Sequence, residues 1–163
     1  MSRVEVSRRA AVPFSEAENY ADAFFKEAEE RGIEVRVPLR DLVPQLSGHL
    51  RKPVRMVFAR HGDDLEKGRL HDAMLVEWKA TGTRLFPHFH GTLRLRIAGT
   101  DATLLTLEGA YRPPLGGVGA AFDRVIGRHI ARATMRELLG RIATEMERRE
   151  AAYRARETSG ITA

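Results

Sequence analysis

Two histidines separated by one residue, His88 and His90, are the residues best placed for metal chemistry. Residues i and i+2 of a strand point to the same side of a sheet, so the two imidazoles could share one metal ion. The same side of the predicted strand carries Arg94 and Arg96, and two guanidinium groups disfavour a further cation nearby. We therefore predict that both histidines face solvent and bind no metal. A metal centre completed by a nearby carboxylate is the alternative.

A second group of metal-binding residue types lies within residues 61–72. It consists of His61, Asp63, Asp64, Glu66, His71 and Asp72. Carboxylates can bind a divalent cation, but the regular acidic spacing of a calcium-binding loop is missing. A solvated loop has the same composition, and we predict a loop without a metal.

Signals for phosphate binding and for nucleophilic catalysis are weaker still. The segment Gly116-Gly117-x-Gly119 precedes a predicted helix, and a helix N-terminus can hold an anion. The spacing and the lysine of a P-loop are missing, so close packing at the helix start is the preferred interpretation. The chain has no Gly-x-Ser-x-Gly motif and no evident Ser–His–Asp set. The sequence predicts no catalytic residues, no metal and no cofactor.

The elements that must position any site begin with a strand, since polar and apolar residues alternate over residues 3–12. Pro13 ends this strand, and Ser15 and Glu18 have the spacing of a capping box at the start of a helix that Gly32 ends. Five further segments alternate in the same way, over residues 35–39, 54–58, 74–78, 88–97 and 105–111. Such alternation is typical of an antiparallel sheet with one wet face. The apolar positions of residues 88–97, ending at Ile97, are predicted to face the core.

The last part of the chain predicts a long helix from about residue 118 to residue 148. Its apolar residues form two stripes that differ in direction by roughly 140°. The first comprises Val118, Phe122, Val125, Ile126, His129 and Ala133, and the second comprises Met135, Leu138, Leu139, Ile142 and Met146. We expect the sheet to grip the second half, with Phe122 and Ile126 at the mouth of a cavity. Four arginines at i, i+4 spacing should lie outside: Arg124, Arg128, Arg132 and Arg136.

Composition limits the class of protein. The chain has 163 residues, 43% of them hydrophobic and 30% charged, as in an ordinary soluble domain. It has no cysteine, and its longest run without Asp, Glu, Lys or Arg is far shorter than the roughly 20 residues of a membrane-spanning helix. Charged residues occupy the N-terminus where a signal peptide needs an apolar segment, so we expect a cytoplasmic protein. The net charge is +5, and residues 111–163 hold 10 basic against 6 acidic residues.

The element order predicts an α+β fold in which a curved antiparallel sheet of about six strands grips the long C-terminal helix. One N-terminal helix follows the first strand. A sheet with one apolar face and one long helix available will curl around that helix. Gly91 and Gly109, both on the inward face, remove side-chain volume and allow bending. We expect one domain over residues 1–148 and a charged helix end and tail over residues 149–163.

This order, together with the run from Leu105 to Gly116 that leads into the final helix, resembles the START-like superfamily. The superfamily is also called helix-grip or SRPBCC and includes polyketide cyclases and lipid-transfer domains. The resemblance extends over about residues 3–148 and points to an uncharacterised bacterial branch. It implies a cavity between sheet and helix that binds apolar or aromatic small molecules. Some members catalyse cyclisation or dehydration, and no universal catalytic motif transfers to this chain.

The inward apolar residues include methionines and aromatic side chains with polar tips, which suit a flat apolar ligand. The predicted ligand-binding residues are Val37, Met56, Phe58, Met74, Trp78, Phe89, Leu107, Tyr111, Phe122 and Ile126. The preferred function is a carrier or sensor of an apolar or aromatic small molecule.

Two alternatives stay open. A cyclase or dehydratase would use acid–base groups in the same cavity, for which Tyr111, His129 and Glu108 are the nearest candidates. The Arg124–Arg136 stripe could instead bind an anionic membrane, for a transient contact, or nucleic acid. Aromatic residues that would stack on bases are not interleaved with these arginines, which argues against nucleic acid. A homodimer is left open.

Overall fold

The computed structural model describes residues 2–38, 49–60, 73–80, 88–112 and 120–160. Two helices and six strands follow one another in these segments. They are β1 (Ser2–Ala10), α1 (Phe14–Arg31), β2 (Ile33–Pro38), β3 (His49–Arg60), β4 (Ala73–Ala80), β5 (His88–Gly99), β6 (Ala102–Arg112) and α2 (Ala120–Gly160). No helix in the described segments is long and apolar enough to cross a membrane.

All neighbouring strands pair antiparallel in one sheet of order β1-β6-β5-β4-β3-β2. The predicted α+β class, the antiparallel sheet, the N-terminal helix and the long C-terminal helix are confirmed. Helix α2 contacts both β1 and β2, which are the two edge strands. It therefore reaches both edges of the sheet.

The core lies between the inner face of the sheet and the middle of α2, over residues 135–146. Leu93 pairs with Leu107 and Leu95 with Leu105 across β5 and β6, and all four are buried. The helix contributes Met135, Leu138, Leu139, Ile142 and Met146, each at most 1% exposed. Burying each such side chain stabilises the fold by about 1.5–3 kcal/mol. The predicted burial of the second half of the helix is confirmed.

Ile97 departs from this pattern, because it is 72% exposed although its strand position was expected to face the core. Its cross-strand partner Thr103 is fully buried and donates a hydrogen bond from Oγ1 to the Val12 carbonyl oxygen at 2.8 Å. The segment after β1 therefore covers Thr103 but leaves Ile97 uncovered, beside the irregularity between Ile97 and Gly99. Alternation locates a face, and only tertiary packing decides which part of that face is covered.

The start of α1 also differs from the expectation. The helix begins at Phe14, so Ser15 lies inside the first turn and the proposed capping box is wrong. The Pro13 carbonyl oxygen accepts hydrogen bonds from the amides of Glu16 and Ala17, both at 3.1 Å, and no side chain caps the end. Gly32 ends the helix as predicted, at a φ of 73° that favours glycine.

Helix α2 continues to Gly160 instead of fraying after residue 148. Beyond residue 148, α2 contacts α1 through Arg149, which pairs with Glu27 at 2.7 Å, and through Glu150. The buried Glu150 carboxylate accepts a hydrogen bond from Tyr20 Oη at 3.1 Å. Burial, followed by this bond to Glu150, raises the pKa of Tyr20. The domain boundary at residue 148 remains a prediction.

Candidate functional site

Strand register brings four of the predicted ligand-binding residues into one row across the sheet. Met56 of β3 lies opposite Trp78 of β4, Trp78 lies opposite Phe89 of β5, and Phe89 lies opposite Tyr111 of β6. Directly paired residues share a face of the sheet, so this row belongs to the inner face. Phe89 and Tyr111 are fully buried. Three of its four residues are aromatic.

The remaining predicted residues lie at other positions. Met74 and Leu107 are buried in a parallel row, through Leu93, about 13 Å along the strands from the first. Val37 pairs with Leu50, six positions along β3 from Met56, which places it about 20 Å from that residue. The sheet therefore does not bring Val37 next to Met56.

Phe58 lies on β3 opposite Val76, and Phe122 and Ile126 lie on the first turns of α2. The structure describes the side chains of only four predicted residues, namely Met74, Phe89, Leu107 and Tyr111. Their role in ligand binding stays a prediction.

The two inward-facing glycines, Gly91 and Gly109, leave space that the ring of Phe89 occupies. Gly91 and Gly109 lie directly opposite each other on β5 and β6. A Cβ at Gly109 would lie 2.6 Å from Phe89 Cζ, and a Cβ at Gly91 would collide with the same ring and with the Glu108 carbonyl oxygen. The ring therefore packs against both glycines, and the volume that the sequence suggested was empty is filled at this point.

One buried polar group lacks a partner within the described side chains. The Thr134 hydroxyl of α2 is fully buried and makes no hydrogen bond. The other buried polar residues, Thr103 and Glu150, are satisfied by Val12 and by Tyr20 and Arg154. Leaving such a hydroxyl unpaired costs about 1–3 kcal/mol.

The three acid–base candidates do not form one group. Glu108 accepts hydrogen bonds from Arg3, at 3.2 Å, and also pairs with Arg94. It lies on the outer face of β6, whereas Tyr111, three residues later, lies on the inner face. His129 is exposed on α2. Glu108 is therefore separated from the inner cavity that a cyclase mechanism would need.

For metal binding, His90 is exposed on β5, while the side chain of His88 lies outside the described residues. Residues 61–72 and the glycines at 116–119 also lie outside them. Within the described part of the chain, no three His, Asp or Glu side chains are grouped as metal ligands.

The arginine stripe of α2 is described at three of its four positions. Arg128, Arg132 and Arg136 are exposed, and the side chain of Arg124 lies outside the described residues. A cationic surface on this side of the helix is thus present, and membrane or nucleic-acid binding through it stays a prediction.

A separate open cleft of about 540 Å³ lies between β1, α1 and α2. Its walls are formed by Arg8, Phe24, Glu27, Glu137, Gly140, Arg141, Thr144 and Glu145. Sequence reasoning missed it because these residues are distant in the chain. Two signals were visible: an arginine among the inward positions of β1, and a glycine inside the long helix.

No family model matches this chain, and no curated protein does. Several solved structures do, among them TTHA0849 from Thermus thermophilus, which has 12% sequence identity and a TM-score of 0.51 over 89% of this chain and 97% of that one. The Zhui aromatase/cyclase from Streptomyces sp. R1128 has 14% identity and a TM-score of 0.49 over 91% and 94% of the two chains. A START superfamily protein from Mycobacterium smegmatis has 15% identity and a TM-score of 0.39 over 87% and 97%.

The chain spans about half the length (48%) of another matched protein, a putative product of the dynemicin biosynthetic locus. At such low identities these likenesses concern the fold alone. The matched structures also include the di-domain ARO/CYC BexL from the BE-7585A biosynthetic pathway, and the fold of this chain is similar to that of TTHA0849.

Proposed function

We propose that this chain binds an apolar or aromatic small molecule between the inner face of its sheet and α2, as a carrier or sensor. The supporting observation is the unpaired Thr134 hydroxyl, which is buried on the same side of the helix as Leu138. A valine has nearly the same shape and would avoid the cost of an unsatisfied hydroxyl. A ligand oxygen that accepts from or donates to Thr134 supplies the missing partner.

The cross-strand row supports an aromatic ligand. Met56, Trp78, Phe89 and Tyr111 occupy successive paired positions on four adjacent strands. Apolar and aromatic residues with few polar groups are the usual lining of small-molecule pockets. A ligand that contacts both this row and the Thr134 hydroxyl would be a flat molecule with an oxygen at one edge.

A polyketide cyclase-like reaction is the alternative, since structural neighbours carry that description. The acid–base residues suggested by the sequence do not favour it, because Glu108 is bound to Arg3 and Arg94 on the outer face. We therefore prefer binding without chemistry at those groups.

The proposal is tested with a matched pair of probes, naphthalene and 2-naphthol, titrated against the wild-type protein and Thr134→Val. One hydrogen bond contributes about 0.5–1.5 kcal/mol, so the variant should bind 2-naphthol about 2- to 13-fold more weakly and naphthalene equally well. Thr158→Val changes an exposed threonine of the same helix that does not line the open cleft, and it serves as the control. Failure of the wild-type protein to bind either probe would overturn the proposal. Equal loss in both threonine variants would remove Thr134 from the site.

A further inference from the structure

The cleft between β1, α1 and α2 contains the guanidinium group of Arg8, and α2 leaves room for this group at Gly140. Arg8 occupies the inner-face register of β1, in line with Leu105 and Leu95. A Cβ at Gly140 would lie 3.3 Å from Arg8 Nη1, so the guanidinium packs directly over this glycine. Glycine inside a helix costs about 0.5–1 kcal/mol relative to alanine. Gly140 leaves room for the guanidinium, and this explains the glycine better than helix propensity does.

The carboxylates of the cleft are bound to other arginines. Glu137 pairs with Arg141 at 3.0 Å, and Glu27 pairs with Arg149 at 2.7 Å. Glu145 accepts hydrogen bonds from Arg149, at 2.8 Å, and from the neighbouring Arg148. Each carboxylate near the cleft therefore already has a cationic partner.

The guanidinium of Arg8 makes no hydrogen bond or ion pair in the described part of the chain, and it is exposed to the cleft. The four arginines in and around the cleft, at 8, 141, 148 and 149, outnumber the three carboxylates by one. The excess positive charge is thus that of Arg8. A guanidinium without a protein partner can bind a carboxylate through two parallel hydrogen bonds.

The cleft also offers an apolar surface and enough volume for an organic molecule. The half-buried ring of Phe24 forms part of its wall. Its volume of about 540 Å³ lies within the usual range for small-molecule sites, about 300–1,000 Å³.

We propose that this cleft is a second binding site, separate from the interior, for a small aromatic carboxylate. The carboxylate binds Arg8 and the ring packs against Phe24. A competing explanation is that an inward charge on the edge strand β1 prevents pairing with another sheet. That role needs the charge of Arg8 but not the packing of its guanidinium against Gly140.

The test is a titration with 2-naphthoate, followed by NMR or calorimetry, of the wild-type protein and Arg8→Gln. The expected result is a loss of affinity of about tenfold in the variant. Arg9→Gln removes a charge from the next position of the same strand, on the outer face, and should leave the affinity within twofold. A similar loss in both variants would reduce the effect to non-specific charge and overturn the proposal.

Gly140→Ala gives an independent readout, because the added methyl group shifts the guanidinium from its position over residue 140 while favouring the helix. It should weaken 2-naphthoate binding several-fold without lowering the melting temperature. Thr134→Val should leave 2-naphthoate binding unchanged. The proposal for the cleft can therefore be refuted while the proposal for interior binding stands, and interior binding can be refuted while the proposal for the cleft stands. Absence of 2-naphthoate binding by the wild type overturns the proposal. Self-association of Arg8→Gln with unchanged affinity would assign Arg8 to edge protection instead.

Discussion

Replacing Gly109 with alanine tests whether the glycine pair is a seat for Phe89. The new Cβ would lie 2.5 Å from the His90 carbonyl oxygen, 2.6 Å from Gly91 Cα and 2.6 Å from Phe89 Cζ. Two of these three atoms belong to the backbone of β5, so a side-chain rotation alone cannot relieve the contacts. The strands or the ring must move.

Overpacking of a well-packed core costs about 1–3 kcal/mol and occasionally more. With two backbone contacts and one buried ring affected, we expect Gly109→Ala to lower the free energy of unfolding by about 3 kcal/mol. An alanine is otherwise no worse than glycine in a strand, so the loss measures the seat and not β-propensity.

The assay is urea unfolding followed by circular dichroism, with Gly140→Ala as the control. Gly140 has only the flexible end of Arg8 near its missing Cβ, at 3.3 Å, and its replacement should change stability by less than about 1 kcal/mol, in either direction. A loss below about 1 kcal/mol for Gly109→Ala would refute the description of the ring as lying over the glycine pair. Phe89→Leu combined with Gly109→Ala should recover only part of the loss, since the backbone contacts remain.

The other predictions concern the helix, the row and the histidines. Leu138→Ala should lower the free energy of unfolding by about 2–5 kcal/mol. Phe122→Ala should lower it by less than the size of the side chain suggests and should speed ligand exchange. Equal losses of unfolding free energy in the two variants, with unchanged ligand exchange, would contradict a cavity mouth at Phe122. Trp78→Ala should weaken the binding of an apolar fluorescent probe with the circular dichroism spectrum unchanged, and unaltered probe affinity would remove Trp78 from the site. Replacing His88 and His90 with alanine should change stability by less than about 1 kcal/mol and release no metal by elemental analysis; stoichiometric zinc or iron lost in the double variant would restore the metal-centre alternative.

Much of the fold could be predicted because each strand has one solvent-exposed face, so that polar and apolar residues alternate along its sequence. The outward position of Glu108 and the burial of Leu138 both follow from local periodicity. The exposure of Ile97 could not be predicted in this way, because it depends on how much of the sheet the segment after β1 covers. The capping box failed because Pro13, one residue outside the helix, provides the first acceptor.

The candidate sites were harder to predict for a related reason. Gly91 and Gly109 suggested empty space, and only their direct pairing shows that one neighbouring ring covers both. Similarly, Arg8 and Gly140 are 132 positions apart, and nothing in either local pattern indicates their contact. Periodicity reports the face of a residue and not its cross-element neighbours.

The pairing of β1 with β6 has a consequence for synthesis of the protein. Val4 lies opposite Gly109, and Glu27 pairs with Arg149, so the first elements have partners more than 100 residues later in the chain. Such a high contact order slows folding, because long loops must close before these contacts form. On the ribosome, β1 lacks its neighbour in the sheet until β6 has emerged, and α1 lacks its contacts with Arg149 and Glu150 until that part of α2 has emerged. The unpaired edge and apolar face of β1 and α1 are exposed until then, which makes this segment the expected binding site for a chaperone on the nascent chain.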